Sequence, residues 1–155
     1  MRDEAPSRTA AWVAAARQMA QLLPPEAQLA PDPYGAAFSY PRLRGKLDRL
    51  RPLAETRAFK QWILYMQVRT RVIDDALRAF VAGGGRQVVV LGAGYDTRSL
   101  RLPELGSATV LEVDHPATQS HKRSTLAQLG VESPSQFITW DFETRAMDDL
   151  PDVLE

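Results

Sequence analysis

The sequence predicts an α/β fold, a small parallel sheet preceded by an N-terminal helical segment. Three observations predict it. The run Gln87-Val88-Val89-Val90-Leu91 is short and nearly all apolar, as a strand covered on both faces must be. Two further strand-like runs follow, and the helical stretch between them makes their strands parallel neighbours. The 155 residues, 45% hydrophobic and 25% charged, are enough for one compact domain and too few for a second full one.

Taken in order, residues 7–23 are rich in Ala, Leu and Met and read as a helix. Ser7 or Thr9 can cap its start, and Pro24-Pro25 stops it. A Pro-rich connector, Pro31-Asp32-Pro33-Tyr34-Gly35, leads to a basic stretch over 42–51 with room for a short helix. Residues 57–81 read as one long helix, with Tyr65, Val72, Ile73, Ala76, Leu77 and Phe80 as its core-facing stripe. Gly83-Gly84-Gly85 ends it. The strands are predicted over 87–91, 108–114 and 136–141, with a helix from Pro116 to about Leu129 closed by Gly130.

Charge and composition remove several classes of function. The net charge is zero, but residues 1–86 carry 14 Lys/Arg against 8 Asp/Glu, and residues 87–155 carry 5 against 11. A basic half packed on an acidic half accounts for this. The basic stretch lacks the interleaved aromatics that stack on bases, so no nucleic-acid partner is expected. With no Cys there is no disulfide framework, thiolate zinc site or cysteine nucleophile. His115 and His121 miss the i,i+4 spacing of two ligands on one helical face, so no metal is expected. The apolar stretch from Ala10 to Ala16 is far short of the ~20 residues of a membrane span. A charged start without a small-residue cleavage site leads to the expectation of a cytoplasmic protein.

Ligands in open α/β sheets bind at the carboxyl ends of the strands. The first predicted strand ends in Gly92-Ala93-Gly94-Tyr95-Asp96-Thr97, where glycines let a ligand approach the backbone. The second ends in Asp114, 22 positions after Gly92, the spacing at which an acid takes both hydroxyls of a ribose. The third ends in Asp141, placed to accept a hydrogen bond from an exocyclic amine. Each has a plainer reading: Asp114 could cap the following helix, and Asp141 a loop. A dinucleotide site wants a third glycine where Thr97 stands, which disfavours a nicotinamide oxidoreductase. S-adenosylmethionine has the ribose and the adenine without the phosphates, but its carboxylate needs a cation. Arg69, spaced by four from both Tyr65 and Ile73, leaves from the apolar stripe and could clamp that carboxylate. Arg71 lies on the polar face, with Asp74 and Asp75 as partners at i+3 and i+4.

With these residues in hand, the chain resembles the leucine carboxyl methyltransferase-like family of S-adenosylmethionine-dependent methyltransferases, in its bacterial branch. The resemblance is carried by Arg69-Thr70-Arg71-Val72-Ile73-Asp74-Asp75, by Val88 to Arg98 with Arg101-Leu102, and by Leu111-Glu112-Val113-Asp114-His115-Pro116. Trp140-Asp141-Phe142 matches more weakly. It implies a Rossmann-like class I methyltransferase fold, here reduced to about three parallel strands, the N-terminal part of the family's seven-stranded sheet. Residues 1–56 would form the family's helical lid over the acceptor pocket and 57–155 a partial cofactor-binding domain. It further implies Arg69 on the methionine carboxylate, with Gly92, Gly94 and Asp96 lining the cofactor. Asp114 would hold the ribose, with Asp141 and the Phe142 backbone at the adenine. The expected reaction is methyl transfer to a carboxylate or hydroxyl oxygen of a small molecule, with no catalytic base assigned. A non-catalytic adenosyl-ligand-binding remnant, serving as an interaction module, is the alternative. In the family's strand order the first strand is central, so here its free edge is expected to drive self-association.

Overall fold

The computed structural model describes residues 5–39 and 47–154, so half of the basic stretch, residues 42–46, lies outside the described residues. Helix α1 (Arg8–Met19) starts at Ser7, whose side chain accepts from the Ala10 N–H at 3.1 Å. It runs into a 3-10 turn at Ala20–Leu22 and stops before the two prolines. Ala14, Ala15 and Ala16 are fully buried, and their small side chains let the helix lie close to its neighbours. Short helices α2 (Gly35–Phe38) and α3 (Arg51–Ala54) lead into α4 (Arg57–Ala82). Ala15, Met19 and Leu23 pack against Ile63 and so fasten the N-terminal segment to α4.

The sheet is three-stranded, parallel and ordered β1 (Gln87–Leu91), β2 (Thr109–Asp114), β3 (Gln136–Thr139). The register places Val88 beside Val110, Val90 beside Glu112, and Val113 beside Ile138. Helix α5 (Arg98–Arg101) follows β1, α6 (Pro116–Gln128) joins β2 to β3, and α7 (Pro151–Leu154) comes last. One core gathers Val81, Val88, Val110, Leu102 and Leu105; another gathers Val113, Trp140 and Leu150. The Arg145 guanidinium lies over the Trp140 ring at 3.5 Å. The third strand ends two residues earlier than predicted, because Asp141 begins a turn, its carbonyl accepting the N–H groups of Thr144 and Arg145. An α/β, Rossmann-like sheet is therefore the architecture of this chain. Among the described residues no helix is long and apolar enough to cross a membrane.

Helix α4 corrects the predicted stripe. Its buried face is Ile63, Met66, Gln67, Thr70, Asp74 and Val81, again at steps of three and four. Tyr65 and Val72 are each 62% exposed and Phe80 is 48% exposed, with Leu64 and Val68 also open; Ile73 and Leu77 are half-buried. The reason lies in what the inner face touches. Gln67 accepts the Ala30 N–H at 3.0 Å, and Asp74 takes Arg98 at 2.8 Å together with Arg101. The Gln67 carbonyl oxygen and Asp74 there meet backbone and arginine partners, while Tyr65, Val72 and Phe80 stay open to solvent and Leu77 packs on the sheet's first core.

Candidate active site

The chain turns sharply after β1, with Gly92 at φ +61° and Gly94 at φ +53°, a region that side chains strain to enter. A side chain at Gly92 would meet nothing, whereas a Cβ at Gly94 would stand 2.9 Å from the Ala10 Cβ. So the first glycine leaves open space, and the second lets α1 lie directly on the turn. The Gly94 N–H donates to one oxygen of Asp114, and the His115 N–H donates to the other at 2.6 Å. The ends of β1 and β2 are thus tied through one carboxylate. Asp114 does not cap α6: His115 holds the cap position, its Nδ1 accepting from the Ala117 N–H at 3.2 Å.

Two hollows open at this end of the sheet and meet at Ser7 and Asp114. The larger, about 430 Å³, is walled by Gly92, Gly94, Asp96, Arg17 and Arg69. The other, about 380 Å³, is walled by His115, Thr118, Asp141 and Phe142. Arg69, Gly92, Gly94, Asp96, Asp114, Asp141 and Phe142 therefore all border this cleft. Arg69 does so by a different route from the one predicted. It is exposed and does not leave from a buried stripe. Among the described residues it has no ion-pair partner, which leaves its fork of donors available to an anion. Arg71 pairs with Asp75 at 2.7 Å and not with Asp74, which is buried on the other side of the helix.

Asp96 is held by Arg98, through both the guanidinium and the Arg98 N–H. Burial pushes its carboxyl up, but Arg98, the Arg98 N–H, Arg17 and Lys122 outweigh that and keep it below the ordinary aspartate value. Asp141 accepts the Glu143 N–H at 2.9 Å and the Thr144 hydroxyl at 2.8 Å, and those bonds, in that order, lower its pKa. It therefore does brace a loop, while its half-exposed carboxylate still borders the cleft. The Phe142 ring is 40% exposed on the same wall. Burial and then the Asp114 charge push the Tyr95 phenol up to about 12, so it stays neutral over the whole physiological range.

Sequence reasoning passed over Arg17 and Asp32. Both are buried, 2.6 Å apart, and Arg17 lines the cleft. The signal was available: a charged side chain among alanines that all turn out buried needs a buried partner.

The residues present suit an adenosyl cofactor with a carboxylate tail. An unpaired guanidinium stands in the larger hollow, Asp114 where the two hollows join, and an apolar ring with a carboxylate in the second. Comparison with known proteins agrees. Residues 10–155 match the family described as Leucine carboxyl methyltransferase. A protein of Mycolicibacterium gilvum (strain PYR-GCK) is 38% identical over 133 residues, covering 80% of this chain and 43% of its own length. One of Mycobacterium bovis (strain BCG / Pasteur 1173P2) is 37% identical over 132 residues, covering 80% and 42%. One of Mycobacterium sp. (strain JLS) is 43% identical over 89 residues, covering 57% and 29%. All three are named as S-adenosyl-L-methionine-dependent methyltransferases, so the cofactor implied is S-adenosyl-L-methionine. The chain spans less than half the length of these relatives. With the match extending over nearly the whole sequence, the chain belongs to the leucine carboxyl methyltransferase family.

Proposed function

We propose that the cleft binds S-adenosylmethionine and that the protein transfers its methyl group to an oxygen of a small molecule, a carboxylate or a hydroxyl. The observation that carries the reading is Asp114, whose carboxylate stands where the two hollows join. Each of its oxygens holds one backbone N–H, and a carboxylate has about four acceptor positions, so two remain for a pair of ribose hydroxyls. Arg69 would take the methionine carboxylate as a two-pronged charge-assisted pair. The bare backbone at Gly92 leaves room for the chain of the ligand. Asp141 would accept from the adenine amine, with the Phe142 ring against the base. The cofactor, when bound, supplies a methyl group already activated as a sulfonium. Holding the acceptor oxygen in line then supplies much of the rate, and no side chain is assigned as a base. The carboxylate as acceptor class is supported by the family's description.

Calorimetric titration tests the site. S-adenosylhomocysteine should bind and NAD should not. Arg69→Ala should abolish binding with the fold retained, and Arg71→Ala should change it little, since Arg71 is engaged with Asp75 on the exposed side. Loss of binding in the Arg71 variant alone would overturn the assignment. A second reading, an adenosyl-ligand-binding module without turnover, makes the same binding predictions as the first. Transfer of a tritiated methyl group to any small acid or alcohol would exclude it.

A further inference from the structure

We propose that Asp32 is a positioning residue that, with Arg17, sets the shape of the cofactor turn, so that order in the N-terminal segment and cofactor affinity are one linked property. This rests on the cleft being the cofactor site. Three successive residues of the turn are held by buried charged side chains. Arg17 donates to the Tyr95 carbonyl, Lys122 donates to the Asp96 carbonyl, and the Thr97 hydroxyl donates to Asp32 at 2.9 Å. Thr97 stands at the N-cap position of α5 yet does not cap it; its hydroxyl is turned to Asp32 instead.

Asp32 gathers four donors from three parts of the chain. One oxygen accepts Arg17 Nε at 2.6 Å and the Thr97 hydroxyl; the other accepts the N–H groups of Tyr34 and Gly35 at 2.9 and 3.1 Å. Its side chain is wholly buried and that of Arg17 nearly so. A buried carboxylate is tolerable only while its partners stay in place, because losing one leaves charge uncompensated away from water. A pair serving the N-terminal segment alone would need no partner in the turn. Here Arg17 and Asp32 each have one, and the Tyr95 ring stacks on Phe38 at 5.0 Å to add a third attachment. The turn and residues 8–38 therefore hold their shapes together. By linkage, whatever binds the turn must in turn order that segment.

Thr97 does not line the cleft, so its hydroxyl can be removed without touching the ligand. The test compares the unaltered chain with Thr97→Val, Thr97→Ser and Asp32→Asn. Amide hydrogen exchange without ligand should quicken in Thr97→Val at both 93–97 and 8–38, and Thr97→Ser should restore both. S-adenosylhomocysteine should bind Thr97→Val about tenfold more weakly and Thr97→Ser as it binds the unaltered chain. Asp32→Asn should act in the same direction and more strongly; if it does not fold, the Thr97 pair decides. Quickened exchange confined to one of the two regions would overturn the coupling. So would undiminished affinity in a variant whose turn exchanges faster. If the unaltered chain takes up no S-adenosylhomocysteine, the cofactor site is refuted, while the exchange measurement still decides the coupling.

Discussion

Asp114 shows how one side chain can serve fold and site at once. Its carboxylate closes the turn after β1 by accepting the Gly94 N–H and still borders both hollows. Asp114→Asn should weaken S-adenosylhomocysteine binding by about 1.5–3 kcal/mol, the range for hydrogen bonds to a charged group. Asp148→Ala, at an exposed position that does not line the cleft, serves as the control. Equal affinities of the two variants in calorimetry would leave Asp114 as a structural tie alone. Asp96 makes a prediction in pH. Its folded pKa lies below the ordinary value of 3.8, so its stabilising contribution is fully present above the unfolded pKa. It is lost as pH falls through the folded one. The melting temperature of Asp96→Asn should therefore fall less steeply than that of the unaltered chain as pH drops below about 4. Parallel curves would show that Arg98 gains nothing from the charge.

Among the elements, α6 is joined to the sheet by charge and by hydrogen bonds that Gln119 Nε2 donates to the Glu112 and Ile138 carbonyls. Lys122 and Glu112 pair with side chains 1% and 2% exposed, and Glu112 also accepts the Ser135 hydroxyl at 2.8 Å. Removing one member of such a pair strands the other in the interior. Lys122→Met should cost about 3–5 kcal/mol in urea unfolding, and adding Glu112→Gln should recover a good part of it. No recovery would mean that the Ser99 and Ser135 hydroxyls, which donate to Glu112 at 3.4 and 2.8 Å, satisfy it without Lys122. The strands and α6 were legible because an unbroken apolar run has few other uses and Pro116 and Gly130 mark the helix ends. The cleft residues at the strand ends were legible because topology places them, whatever the details of packing; Arg69, on α4, was reached through a stripe that is not buried. The face of α4 was not. Periodicity shows that Tyr65, Val68, Val72 and Phe80 share a side, but not that anything covers it. The partners that make Gln67 and Asp74 acceptable inside are far away in sequence, at Ala30, Arg98 and Arg101. The Arg17–Asp32–Thr97 network escaped for the same reason, since Thr97 lies 65 positions from its acceptor.

For the molecule as a whole, the order β1-β2-β3 leaves β1 at the edge of the sheet, with hydrogen-bonding groups along one side that no strand takes up among the described residues. Leu91 at its end is 50% exposed, and α4 presents Tyr65, Val72 and Phe80 to solvent as well. An unpaired strand edge and an uncovered apolar helix face each favour association with other chains. We predict that the 155-residue chain self-associates at tens of micromolar, read by analytical ultracentrifugation as a sedimentation coefficient that rises with concentration. Two variants divide the causes. Leu91→Lys puts a charge at the strand edge, the device by which natural sheets blunt their edges. Val72→Lys breaks the apolar face of α4 at a residue 62% exposed, where the folded state should tolerate it. If the edge drives association, Leu91→Lys should restore a monomer and Val72→Lys should not; if the helix face drives it, the outcomes should reverse. A monodisperse monomer of the unaltered chain across that concentration range would show that neither surface is adhesive enough to matter.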